Sequence, residues 1–98
     1  MSWTVIKEDS DGTEISKLSE EFFLSENDIL YSADFRVIRY LDPYGDTTFN
    51  SLMFDDLITD MTNLKKQRLK SADLIDKIIS LAIDCKKEVH TYLKFYGD

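Results

Sequence analysis

The chain has one cysteine, Cys85, and one histidine, His90, so it closes no internal disulfide and falls short of the three or four ligands that zinc requires. Three glycines cannot build a phosphate-cradling loop, and no serine sits in a Gly-x-Ser-x-Gly setting. No apolar run approaches the roughly 18 residues of a membrane span. The start, Met1-Ser2-Trp3-Thr4-Val5-Ile6-Lys7, lacks the charged opening and apolar core of a signal peptide. Cytoplasmic residence, with no membrane partner, is the expectation. Basic residues are also scarce, 12 against 19 acids, a net charge of −7. A field of that sign repels nucleic acid and anionic surfaces and attracts basic partners.

What remains is enough for a core. Of 98 residues 43% are hydrophobic and 12% aromatic, which disordered chains of similar charge do not offer. A chain this short forms one domain, residues 1–98. The charge is unevenly placed: residues 1–60 hold fourteen acids and four bases, a net −10, whereas residues 61–98 hold eight bases and five acids, a net +3.

Residues 3–8 and 13–18 read as a hairpin around Asp9-Ser10-Asp11-Gly12-Thr13, because Gly12 tolerates positive φ and aspartates bond neighbouring amides. The same acids do not form a calcium loop. With Gly12 at the invariant glycine, Lys7 falls at the first ligand position and Leu18 where the bidentate glutamate belongs. Residues 16–27 are ambiguous between helix and strand. From Ile29 to Leu41 the pattern has period two, which predicts one long central strand or two joined at a bulge, followed by turn chemistry in Asp42-Pro43-Tyr44-Gly45-Asp46. A second strand over Thr47–Leu52 would return beside it.

Phe54, Leu57, Ile58, Met61 and Leu64 recur at helical spacing, with Asp55 and Asp56 at the start and Lys65, Lys66 and Arg68 at the end, matching the helix dipole. A second helix begins near Ser71 and shows a stripe of Leu74, Ile75, Ile78, Ile79, Leu81, Ala82, Cys85 and Val89. The short link near 69–71 favours an antiparallel helix pair. Tyr92–Asp98, aromatic-rich, reads as a final strand. The expected fold is α+β: an antiparallel sheet of about four strands with two C-terminal helices packed on one face.

Chemistry-bearing groups are few. Cys85 and His90 lie five residues apart, about 140° around a helix, so they would not face each other. Asp56 with Asp60, and Asp84 with Glu88, share helix faces at i and i+4, the arrangement that paired-carboxylate acid–base chemistry needs, but Lys86 and Lys87 beside the second pair mark a solvated face. Asp73 and Lys77 form an ordinary i, i+4 pair. The basic run Lys65-Lys66-Gln67-Arg68-Leu69-Lys70 is explained by a helix C-terminus. The reading is therefore not an enzyme, with no cofactor, no metal and no nucleic-acid partner. Arg36 and Arg39 differ in parity, would point to opposite faces of the central strand, and should each find a carboxylate. Tyr and Arg are enriched at binding hot spots, which selects Trp3, Tyr31, Asp34, Arg36, Tyr40 and Tyr44 as partner-contact candidates.

Two stretches carry a resemblance: Arg39-Tyr40-Leu41-Asp42-Pro43-Tyr44-Gly45-Asp46-Thr47, continuing to Phe49-Asn50, and Tyr92-Leu93-Lys94-Phe95-Tyr96-Gly97-Asp98. About a fifth of the chain thereby resembles small uncharacterised bacterial proteins, some of them similar to toxin-immunity proteins. The resemblance implies a protein-binding module and transfers no residue role. Together with the charge pattern, the expectation is a small acidic binding protein that neutralises a basic toxin. The alternative is a homodimeric structural or regulatory protein without catalytic activity.

Overall fold

The structure, a computed structural model, describes residues 1–25 and 35–97. Among the described residues five strands form one antiparallel sheet: β1 (Ser2–Asp9), β2 (Glu14–Lys17), β3 (Phe22–Phe23), β4 (Asp46–Phe49) and β5 (Thr91–Gly97). Two helices, α1 (Phe54–Gln67) and α2 (Ala72–Lys87), lie between β4 and β5 in sequence. The strand order is β2-β1-β5-β4, and β3 joins the same edge of β1 as β2. Lys17 stands opposite Ile6 and Phe22 opposite Trp3, so β2 and β3 are one edge lane broken between Leu18 and Glu21. The α+β architecture is therefore as expected, with four lanes of strand.

Register explains the core. Val5 pairs with Phe95, Phe95 with Thr47, and Leu93 with Phe49, which places Trp3, Val5, Leu93, Phe95 and Phe49 on one face by the two-residue alternation of strands. All five are buried in one cluster with Phe54, Leu57, Met61, Leu64, Ile75, Ile78, Ala82 and Cys85 from the helices. Trp3, Phe22, Phe95 and Phe49 form a chain of tilted and edge-on rings with centroids 5.3–6.1 Å apart, the geometry that aromatic quadrupoles favour. The opposite face carries Thr4, Ile6, Lys94, Tyr96 and Thr48, half-buried or exposed.

The helices pair antiparallel, as the short link requires. Lys86 meets Asp55, and Lys65 reaches Asp76 at 2.8 Å, so both ends of the pair are tied. Ser71 occupies the N-cap position of α2 but makes no side-chain capping bond. Val89 does not belong to the α2 stripe: the helix ends at Lys87 and Val89 is 80% exposed. Nor does Lys77 pair along its own helix, since its ammonium lies 3.6 Å from Glu20.

The hairpin reading of the N-terminus holds. Asp9 accepts the amides of Asp11 and Thr13 on its carboxylate, both at 2.9 Å, and Gly12 takes φ 81°. Over residues 16–25 the strand alternative wins, through β2 and β3, while residues 26 and 27 lie outside the described residues.

The long strand over 29–41 is the main correction. Residues 29–34 lie outside the described residues; residues 35–41 form a bend and a single 3-10 turn, Ile38–Tyr40. Phe35, Ile38 and Leu41 are the buried positions, a spacing of three that suits a 3-10 turn and not a strand. The amides that a sheet would use are also taken. Asp60 accepts the N–H groups of Arg36, Val37 and Ile38. The partner strand is likewise different: Asp46–Phe49 pairs with β5, and the chain turns at Ser51–Met53 before α1.

Candidate functional site

The two stretches that carried the resemblance meet in space. Gly97 donates its amide to Gly45 at 2.8 Å, and Asp46 stands opposite Tyr96 in the ladder. The turn between them is closed from within: the Asp42 carboxylate accepts the Tyr44 amide at 2.9 Å, and the Asp42 amide donates to Thr47 Oγ1 at 3.0 Å. From beneath, Trp3 Nε1 donates to the Asp42 carbonyl at 2.7 Å. A Cβ on Gly97 would stand 2.6–2.8 Å from the carbonyl oxygens of Asp42, Pro43 and Gly45, so this close approach admits only glycine.

On this pinned turn two aromatics face outward. Tyr44 is 85% exposed and Tyr40 67% exposed, and the Arg39 guanidinium stacks 5.5 Å from the Tyr40 ring centroid. Asp42 and Asp46 are exposed beside them. The upstream end of the segment is held by Asp60, itself only 1% exposed, whose carboxylate oxygens lie 2.7–3.1 Å from the amides of residues 36–38. Such charge-assisted bonds satisfy donors that the 3-10 turn leaves open.

Tyr40 and Tyr44 share the turn surface. Trp3 does not: it is fully buried under the turn, because its odd register position on β1 points into the core, and its indole is spent on Asp42. Arg36 lies at the far end of the segment, exposed, with its guanidinium 2.9 Å from Asp56, which holds its pKa above the ordinary value first through the hydrogen bond and then through charge. Arg36 and Arg39 are both exposed on the bend and turn rather than on opposite sheet faces; Arg36 finds a carboxylate, Arg39 a ring. Tyr31 and Asp34 lie outside the described residues.

The groups weighed for catalysis have other occupations. Asp56 bonds Arg36 and Asp60 bonds backbone. Cys85 is buried, and desolvation pushes its thiol pKa up. His90 is exposed in the turn after α2, so the helical angle between it and Cys85 does not apply, and burial separates the two instead. Sequence reasoning weighed Asp60 only as half of a carboxylate pair, not as the holder of a backbone segment, and missed Gly97. The signals were present: an acid at the buried i, i+3, i+4 positions of α1, and a glycine closing an aromatic strand.

No protein-family model, no curated protein and no solved structure matches the chain. Among the described residues no helix is long and apolar enough to cross a membrane.

Proposed function

We propose that this chain is a small acidic protein-binding module of the immunity type, cytoplasmic and without catalytic activity, whose partner is a basic toxin. The observation that carries the reading is the pair of exposed tyrosines on a turn fixed by Trp3 and Gly97 and on the segment before it, held by Asp60. Exposed aromatic side chains on a preorganised backbone bring contact area at little further cost in ordering. Asp42 and Asp46 flank them within the half of the chain that carries net −10, which suits a positively charged surface and speeds encounter with it.

What favours a separate partner over a second copy is the state of the β2 edge. The β2 edge is four residues long, carries a register shift opposite Lys7 and Glu8, presents Lys17, and breaks before β3. Short, bulged and charged edges disfavour strand pairing between copies.

The test is a pull-down from the native lysate at low and high salt, run with wild type and Tyr44→Ala. The expected result is a basic protein retained at low salt, released at high salt, and lost with the variant. Retention that ignores both salt and Tyr44, or recovery of the chain alone as a dimer by light scattering, overturns the reading.

A further inference from the structure

The opposite end of β5 carries a different surface. Where α2 turns into β5, a half-open cavity of about 350 Å³ is lined by Ser51, Lys87, His90 and Tyr92, together with Lys86, Glu88 and their neighbours. That volume lies at the small end of ligand pockets, suited to a small solute rather than a polymer. β5 is seven residues long, so this site stands about 20 Å from the Gly97 end and its tyrosine turn.

The charges in the lining sort themselves by partner. Lys86 is committed to Asp55, and the Glu88 carboxylate is neutralised by Lys7 at 2.9 Å. Lys87, His90, Ser51 and Tyr92 have no side-chain partner among the described residues. The negative end of α2 is also covered: the Cys85 carbonyl accepts the Glu88 amide at 3.3 Å and Thr91 Oγ1 at 3.1 Å, and the Glu88 carbonyl accepts the same hydroxyl at 3.2 Å. What is left in the lining is a set of donor-bearing side chains: an ammonium, an imidazole and two hydroxyls. His90 is held at the wall by its left-handed backbone, φ 62°, which reverses the chain from helix into strand.

We propose that this cavity binds a small phosphate-bearing solute. Four donor-bearing side chains in one lining, with its one acid paired to Lys7, match an anion, and the three acceptor oxygens of a phosphate group use more of them than the two of a carboxylate. The site is independent of the protein-binding reading, which rests on the other end of the molecule.

The test is amide chemical-shift titration with inorganic phosphate at constant ionic strength, on wild type, Lys87→Met and His90→Asn. Asparagine tolerates the left-handed backbone, so His90→Asn removes the imidazole without breaking the turn; the variants' spectra away from the site report that the fold is kept. The expected result is a saturable response confined to Ser51 and residues 87–92, weakened about tenfold by either variant, as for loss of one charge-assisted bond. A response that does not saturate, that survives both substitutions, or that acetate reproduces with equal affinity overturns the proposal.

Discussion

Asp60 is the residue on which the segment before the tyrosine turn depends, and removing its carboxylate is the most direct check on how that segment is held. Four contacts of 2.7–3.1 Å join its two oxygens to three backbone amides. The Oδ2 atom serves all three, while Oδ1 reaches Arg36 alone. Asp60→Asn can therefore keep the three Oδ2 bonds with its carbonyl, losing the charge and setting an NH₂ group against the Arg36 amide. That should cost about 2 kcal/mol, the difference between a charged and a neutral acceptor plus one repulsive contact. Asp60→Ala loses every bond. Arg36 is exposed and its amide can turn to water, but the Ile38 bond is buried, so the cost should be about 3–5 kcal/mol, a large share of the roughly 5–15 kcal/mol that holds a domain of this class. Urea unfolding followed through the fluorescence of Trp3 measures both, since the chain's single tryptophan is buried against the Asp42 carbonyl. Hydrogen exchange adds the location: the amides of residues 36–38 should lose protection first in the alanine variant. If both substitutions cost under about 1 kcal/mol, the carboxylate is not what fixes this segment, and the argument for a preorganised turn loses its upstream support.

Gly97→Ala should lower stability by about 2–3 kcal/mol, because its methyl group meets three backbone carbonyls rather than flexible side chains. Gly12→Ala, where φ is 81° but nothing lies within 4 Å, should cost only about 1–2 kcal/mol; thermal melts giving the reverse order would refute the packing argument. Tyr96 donates to Glu8, and that bond raises the phenol pKa above its usual value. A raised folded pKa means the contribution is fully present below pH about 10 and is lost as pH climbs from there through the folded value. Absorbance titration should show a late phenolate that Glu8→Gln brings back; an unchanged titration would disprove the attribution. Cys85 should resist thiol reagents until the protein unfolds, so rapid labelling under native conditions would show that its burial is incomplete. Arg36→Ala should leave the urea midpoint close to that of the wild type, since its pair with Asp56 is open to solvent on both sides, and a large drop would refute that reading.

The parts of the fold legible in the sequence were those whose pattern repeats long enough to exclude alternatives. The α1 and α2 stripes repeat over three or more turns, and the acids and bases at their ends agree with the dipole, so local preference and packing point the same way. The Asp9–Thr13 turn was legible because its chemistry is local: Asp9 bonds residues two and four places on. Residues 35–41 were not. Phe35, Val37, Arg39 and Leu41 alternate by parity, yet Phe35, Ile38 and Leu41 also recur at three, and seven residues cannot separate the two periods. The decision came from Asp60, twenty-two or more residues away, which withdraws three amides from any ladder.

The same distinction governs the candidate site. Composition could select Tyr40, Tyr44 and Trp3 together, since all three are hot-spot types, but only register separates them: Trp3 sits opposite Gly97 on the core face of the sheet, while the tyrosines ride on a turn that leaves the sheet. Trp3 nevertheless belongs to the surface it does not reach. Its indole N–H fixes the Asp42 carbonyl, one of the three oxygens crowded around Gly97, so the buried ring sets the position of the turn that presents Tyr44. Trp3→Phe keeps most of the buried area and removes that one bond. It should therefore cost about 1–3 kcal/mol of stability and, with Tyr44 intact, still weaken partner binding, whereas a purely packing role predicts lost stability with affinity unchanged.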